Sequence, residues 1–171
     1  MTEIESKILG QAEPVPRVLR PGIRYRSNGP ERYHVAGGGS VVFRVFGGDQ
    51  LRIIDIEGKQ PAEIVAFSNG CCDIDLLDAK VNGQADGLKK ILVSKSPPAE
   101  RLKTGLERHH LSLENLRSVN LFIDGSRAGE HMSLSTDADG VVIISAPGDT
   151  MQPDQQTPPT DLEVIIKRAY P

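Results

Sequence analysis

The stretch Val45-Phe-Gly-Gly-Asp-Gln-Leu-Arg-Ile-Ile-Asp-Ile-Glu-Gly-Lys-Gln-Pro-Ala-Glu-Ile-Val-Ala-Phe67 decides how the chain is read. Gly47-Gly48-Asp49 is a turn, because glycine supplies positive φ and aspartate bonds its own backbone. Gln50 to Ile56 then reads as a strand, and Ala62 to Phe67 as the next one. Between them lies a polar island, Asp55-Ile56-Glu57-Gly58-Lys59-Gln60-Pro61. A hairpin needs only Gly58 at its tip, so the surplus of charge and amide groups is either a site or a solvated loop. Alternation puts Leu51, Ile53 and Asp55 on one face and Arg52, Ile54 and Ile56 on the other. With Leu51 and Ile53 in the core, Asp55 lies at its rim and needs a donor, for which the Gln60 amide is a candidate.

Outward from this stretch the same grammar recurs. Tyr33 to Val35 and Ser40 to Phe46 read as strands separated by Gly37-Gly38-Gly39. Asn69-Gly70 is a strong turn pair. Ser96-Pro97-Pro98 reads as a helix start, with Ala99, Leu102 and Leu106 on one face. A second helical turn is expected around Leu113 and Leu116, while Ile91 to Val93 looks strand-like. Strands resume at Val119 to Ile123, Gly140 to Ser145 and Asp161 to Lys167. Val141 to Ser145, followed by the Gly148-Asp149 corner, echoes Val41 to Phe46 and the Gly48-Asp49 corner about a hundred residues earlier. Many short strands with Gly-Asp and Asn-Gly corners predict a mainly β fold. The expected form is a distorted β-barrel or sandwich of short antiparallel strands, with one or two short helices in the middle. Residues 1–32, with Pro14, Pro16, Pro21 and Pro30, read as an extended Pro-rich arm, and residues 33–171 as a single β-rich domain.

Composition removes several function classes. The chain has 171 residues and a net charge of −3, with acidic and basic groups interspersed. No basic patch points to nucleic acid, and the absence of Trp argues against base-stacking platforms. No aliphatic run approaches the roughly 18 residues of a membrane helix. The charged start, MTEIESKILG, has no apolar signal core. Cys71-Cys72 are adjacent and offer no disulfide framework, so a cytoplasmic protein is expected. There is no nucleophile elbow and no phosphate loop, and Gly37-Gly38-Gly39 precedes a strand instead of a helix. Asp73, Asp75 and Asp78 lack the glycine and downstream glutamate of an EF-hand. Cys71, Cys72, His34, His109, His110 and His131 match no zinc spacing. The Gly-Asp corners at Asp49 and Asp149 are read as turns that satisfy local N–H groups.

Three stretches together carry a resemblance. GDQLRIIDIEGKQPAEIVAF, then VNLFID with DGVVIISAPGDTM, then DLEVIIKRAYP resemble, in order, segments of the urea-carboxylase-associated domain family. The resemblance implies a mostly β domain and, in many members, zinc held by cysteines. Related domains form the N-terminal part of proteins with a folate-binding, aminomethyltransferase-like C-terminal part, including trimethylamine-oxide demethylases. The departures bear on the metal. Tyr170-Pro171 stands where the family has Cys-Pro, Lys90 to Ser118 contains no cysteine, and Glu63 replaces an aspartate. A tyrosine is a poor substitute for a thiolate on zinc.

The resemblance therefore implies a metal-free N-terminal structural and assembly domain of a folate-linked demethylase or aminomethyltransferase-like enzyme of methylated-amine metabolism. Tetrahydrofolate would then lie on a downstream domain. The expected partners are other domains or subunits of the same enzyme, in a homo-oligomer, with no nucleic acid and no membrane. Two alternatives stand beside it: a zinc-dependent small enzyme of amine or urea metabolism, and a stand-alone small-molecule-binding barrel. The candidate ligand-binding residues are Asp55, Gln60 and Glu63; catalytic residues are not assigned.

Overall fold

In the computed structural model, the described residues are 29–148 and 158–169. The Pro-rich arm up to residue 28, Asp149 and Tyr170 lie outside them. The strands are β1 (Glu31–Val35), β2 (Ser40–Val45), β3 (Gln50–Asp55), β4 (Ala62–Ser68), β5 (Cys71–Cys72), β6 (Val119–Leu121), β7 (Glu130–Ser135), β8 (Gly140–Ser145) and β9 (Leu162–Lys167). A 3-10 turn spans Ile74–Leu76, and two helices follow it, α1 (Asp86–Val93) and α2 (Pro97–Arg108). One sheet has the order β1-β9-β3-β7; the other runs β2-β8-β4-β5, with β6 also paired to β4. Every pairing is antiparallel. The result is a two-sheet, sandwich-like domain with no closed barrel among the described residues.

The echo in the sequence has a spatial meaning. β2 and β8 are direct neighbours, with Ser40 opposite Ser145 and Val45 opposite Gly140. Their successors β3 and β9 are also neighbours, in the other sheet.

Two apolar layers hold the strands. Between the sheets lie Val35, Phe43, Leu51, Ile53, Ile64, Ile144, Leu162, Val164 and Ile166, all essentially inaccessible. On the outer side of the β2-β8-β4-β5 sheet, Val65, Phe67 and Ile143 meet Leu88, Ile91, Leu102 and Leu106 of the helices. Fully burying one such side chain contributes about 1.5–3 kcal/mol. β4 is covered on both faces, which is why its sequence reads as a nearly continuous apolar run. Its alternation sends Ala62, Ile64 and Ala66 between the sheets, and Glu63, Val65 and Phe67 toward the helices.

Several expectations change in detail. Asp86-Gly87 opens α1, so Ile91 to Val93 is helical instead of strand-like. Leu113 and Leu116 lie in a connection with no helix; Leu116 is buried and Leu113 exposed. The α2 start falls where predicted, with prolines at its first positions, but Ser96 makes no side-chain cap. Its hydroxyl pairs with that of Ser94 at 2.7 Å instead. β7 was not expected. Its residues are mostly exposed, so no apolar alternation marks it.

Candidate functional site

The polar island is solvated only in part: Ile56, Glu57 and Lys59 are exposed, while Asp55 and Gln60 are buried. Asp55, Gln60 and Glu63 are all buried, at 0%, 3% and 4% exposure. Alternation along β3 carries the Asp55 side chain to the inter-sheet side, as predicted from Leu51 and Ile53. A carboxylate removed from water needs donors. Asp55 Oδ1 accepts from Gly58 N–H at 2.9 Å, and Oδ2 from Gln60 N–H at 2.9 Å. The Ser126 hydroxyl donates to Oδ2 as well. The Gln60 contribution thus comes from its backbone N–H and not from its side-chain amide, because the turn wraps the backbone around the carboxylate. Gly58 has φ +92°, which a side chain would strain, and a Cβ there would lie 2.9 Å from Ala128 N. Lys59 N–H donates to Ser126 O at 3.1 Å, and Gly129 N–H to Asp55 O at 2.7 Å. The 126–129 loop is thereby stitched onto the island.

The Gln60 amide has a different task. Its Nε2 donates to Pro61 O at 2.8 Å and to Pro147 O at 2.9 Å. Its Oε1 accepts from Thr160 N–H at 2.7 Å. One side chain thus binds the segment that leaves β8 and the segment that enters β9.

Glu63 faces the helix layer. Its two oxygens accept from Gly87 N–H at 2.9 Å and Leu88 N–H at 2.7 Å. These are orphan donors of the first turn of α1, and a carboxylate there is favoured by the helix dipole, by about 0.3–1 kcal/mol. Gly87 is required by the close packing, since a Cβ would sit 2.8 Å from Pro147 Cβ and 3.2 Å from Glu63 Oε1. The three candidates therefore occupy three places: the inter-sheet rim, the strand connection and the helix side of the second sheet. The structure does not gather them around one cavity. A groove of about 720 Å³ lies elsewhere, on the outer side of β3, β7 and β9, lined by Gln50, Arg52, Ser133, Ser135 and Lys167.

Two further polar residues were not found from sequence. Ser126 sits in an irregular loop with no motif to mark it. Arg168, just past β9, forms a two-pronged pair with Glu31 at 2.8 Å on both arms and meets Asp49 Oδ2 at 2.5 Å. It also donates to Arg44 O at 3.0 Å and lies over the Phe46 ring, 5.5 Å from the centroid. Burial opposes its charge, but the hydrogen bonds and charges of Glu31 and Asp49 outweigh that and raise its pKa above the usual value. Asp49 forms the expected turn, accepting from Phe46 N–H at 2.9 Å, and also from Ala169 N–H at 3.0 Å.

No three His, Cys, Asp or Glu side chains among the described residues are arranged to hold a metal ion. Cys71 is exposed, and Cys72 is engaged with the backbone of Arg117. Asp55 and Glu63 already direct both carboxylate oxygens at N–H groups. The donor set of the described residues does not fit zinc, which needs three or four converging ligands. Among the described residues, no helix is long and apolar enough to cross a membrane.

Fold and site together define a two-sheet antiparallel β domain whose buried polar residues tie its own loops together. Comparison with known proteins agrees with such a domain. Over 153 residues the chain is 37% identical to trimethylamine-oxide aldolase of Ruegeria pomeroyi, covering 89% of this chain but only 19% of that protein. The chain thus spans about a fifth of the length of the curated relative it matches. Its fold is shared with the crystal structure of a DUF1989 family protein from Silicibacter pomeroyi, at TM-score 0.50 and 11% identity, over 99% of this chain and 93% of that one. No model of a known protein family matches the chain. The resemblance to the urea-carboxylase-associated family therefore rests on the quoted residues.

Proposed function

We propose that this chain is a structural and assembly domain of a methylated-amine enzyme, playing the part that the matching segment plays in trimethylamine-oxide aldolase. The observation that carries this reading is the proportion of the match. Nearly the whole chain aligns, yet it accounts for under a fifth of the relative. A domain of that share works with other domains or subunits of the same enzyme. The buried polar residues support the reading from the other side: Asp55, Gln60 and Glu63 are engaged by backbone groups of the chain itself. A folate-linked demethylase or aminomethyltransferase-like centre, with its tetrahydrofolate, belongs on this reading to those other parts. The urea-carboxylase-associated ancestry, the cytoplasmic location and the working of this domain without zinc are part of the same proposal.

The test is complementation. Trimethylamine-oxide consumption is followed by NMR for the purified chain, for the Ruegeria pomeroyi enzyme lacking its matched segment, and for the two mixed. The chain alone is expected to consume none, and the mixture to recover turnover that the shortened enzyme lacks. Turnover by the chain alone would overturn the proposal. Stoichiometric zinc in the purified chain, measured by elemental analysis, would favour a small zinc-dependent enzyme instead.

A further inference from the structure

The first sheet ends at β7, whose far side has no strand partner among the described residues. Thr136 N–H donates to Asp49 O, and β7 pairs with β3 so that Leu51, Ile53 and Asp55 lie opposite Leu134, Met132 and Glu130. In an antiparallel ladder the backbone groups of alternate residues turn to alternate sides. Met132 and Leu134 thus turn theirs to β3, while His131 and Ser133 turn theirs outward; at Glu130 the N–H is taken by Arg127 O at 3.0 Å. Beyond Leu134 the edge is covered. Ser135 O accepts from Asp78 N–H at 2.9 Å, Leu77 bridges Thr136, and Asp137 N–H donates to Leu76 O at 2.9 Å. The open run is therefore Glu130–Leu134, and its midpoint is Met132.

Protein edges are normally blunted by proline, lysine or a covering segment. Among the described residues this run has none of these, and Glu130 to Ser133 are all exposed. We propose that β7 is a pairing edge for a second copy of this chain, joined antiparallel about a two-fold axis at Met132. His131 then exchanges two hydrogen bonds with Ser133 of the second copy, and Ser133 two with its His131. All four outward backbone groups of the run are used. Met132, now 43% exposed on the inter-sheet side, meets its own counterpart. Glu130 falls opposite Leu134 of the second copy, so no like charges meet, and its carboxylate already accepts from Arg127 N–H at 2.9 Å. An axis at Ser133 would instead set His131 against Ser135, whose carbonyl is occupied. The two four-stranded sheets become one of eight strands. This self-pairing does not depend on which reaction the chain serves.

The full chain is measured by light scattering across a concentration series, together with Ser133→Pro, which removes one outward N–H without touching the β3 ladder. The wild type is expected to dimerise, and Ser133→Pro to weaken association about tenfold at unchanged Tm. Because a proline can also distort the strand, Met132→Cys and Ser133→Cys are oxidised in a Cys71→Ser, Cys72→Ser background. Met132→Cys is expected to give the covalent dimer and Ser133→Cys is not. A chain that stays monomeric, a dimer indifferent to Ser133→Pro, or preferential linkage through Ser133→Cys would each overturn the proposal. So would slow hydrogen exchange at His131 and Ser133 in a monomer, which would mean that residues of the same chain fill the edge.

Discussion

Two buried aspartates six residues apart, at either end of β3, are held by opposite means. Asp49 has a cation: Arg168 reaches it at 2.5 Å, and Phe46 and Ala169 add N–H groups. Among the described residues Asp55 has no cation bonded to it and is held by two backbone N–H groups and a hydroxyl. Buried charges are ordinarily paired, yet a turn that aims its N–H dipoles at one point does the same work. The difference teaches what each end of the strand requires. At Asp49 the ionic partner arrives from just past β9 and joins distant parts of the chain. At Asp55 the sequence within five residues supplies two of the three donors, and a well-formed turn is the whole condition.

Substitutions can break this contrast. Asp55→Ala should have the largest effect, about 3–4 kcal/mol of lost stability in chemical denaturation, because two buried N–H groups and the Ser126 hydroxyl lose their acceptor together. Asp55→Asn, which keeps one acceptor oxygen, should recover part of that. Arg168→Met should cost about 2–3 kcal/mol by leaving Asp49 and Glu31 without their cation. If Arg168→Met proves the more damaging, the ionic end governs β3 and the contrast fails. Glu63→Gln should cost about 1–2 kcal/mol, since one first-turn N–H of α1 keeps an acceptor and the other meets an amide; circular dichroism should show its helical signal melting with the rest. Ser96→Ala should change stability by under about 0.5 kcal/mol, because that serine caps nothing.

What the sequence made legible follows from where each signal resides. Strands with one face in the core carry a period-two pattern, and β8, covered on both faces, a continuous apolar run, so β2, β3, β8 and β9 could be read within a residue or so of their ends. β7 could not, because an exposed edge strand has no reason to alternate. α1 was hidden by Asp86-Gly87, a turn signal, since its N-terminus is stabilised by Glu63, a residue on another strand. Leu88 and Ile91, three apart, were the periodic signal available for it. The same division runs through the candidate site. Burial of Asp55 followed from alternation with Leu51 and Ile53. Its donors did not, because the choice between the Gln60 amide and the Gln60 backbone is made by turn geometry. Arg168 joins Glu31 and Asp49, both more than a hundred residues earlier, a distance over which local patterns are silent.

Gln60 grips the carbonyl of Pro147 on one side and the N–H of Thr160 on the other. The connection between β8 and β9 is therefore closed at its root, whatever its length. Lengthening a loop whose ends are already fixed is cheap, about 0.6 kcal/mol for each doubling. Foreign sequence spliced in after Gly148 should leave both sheets standing, and that makes this root the natural port for attaching a fluorophore or an affinity handle.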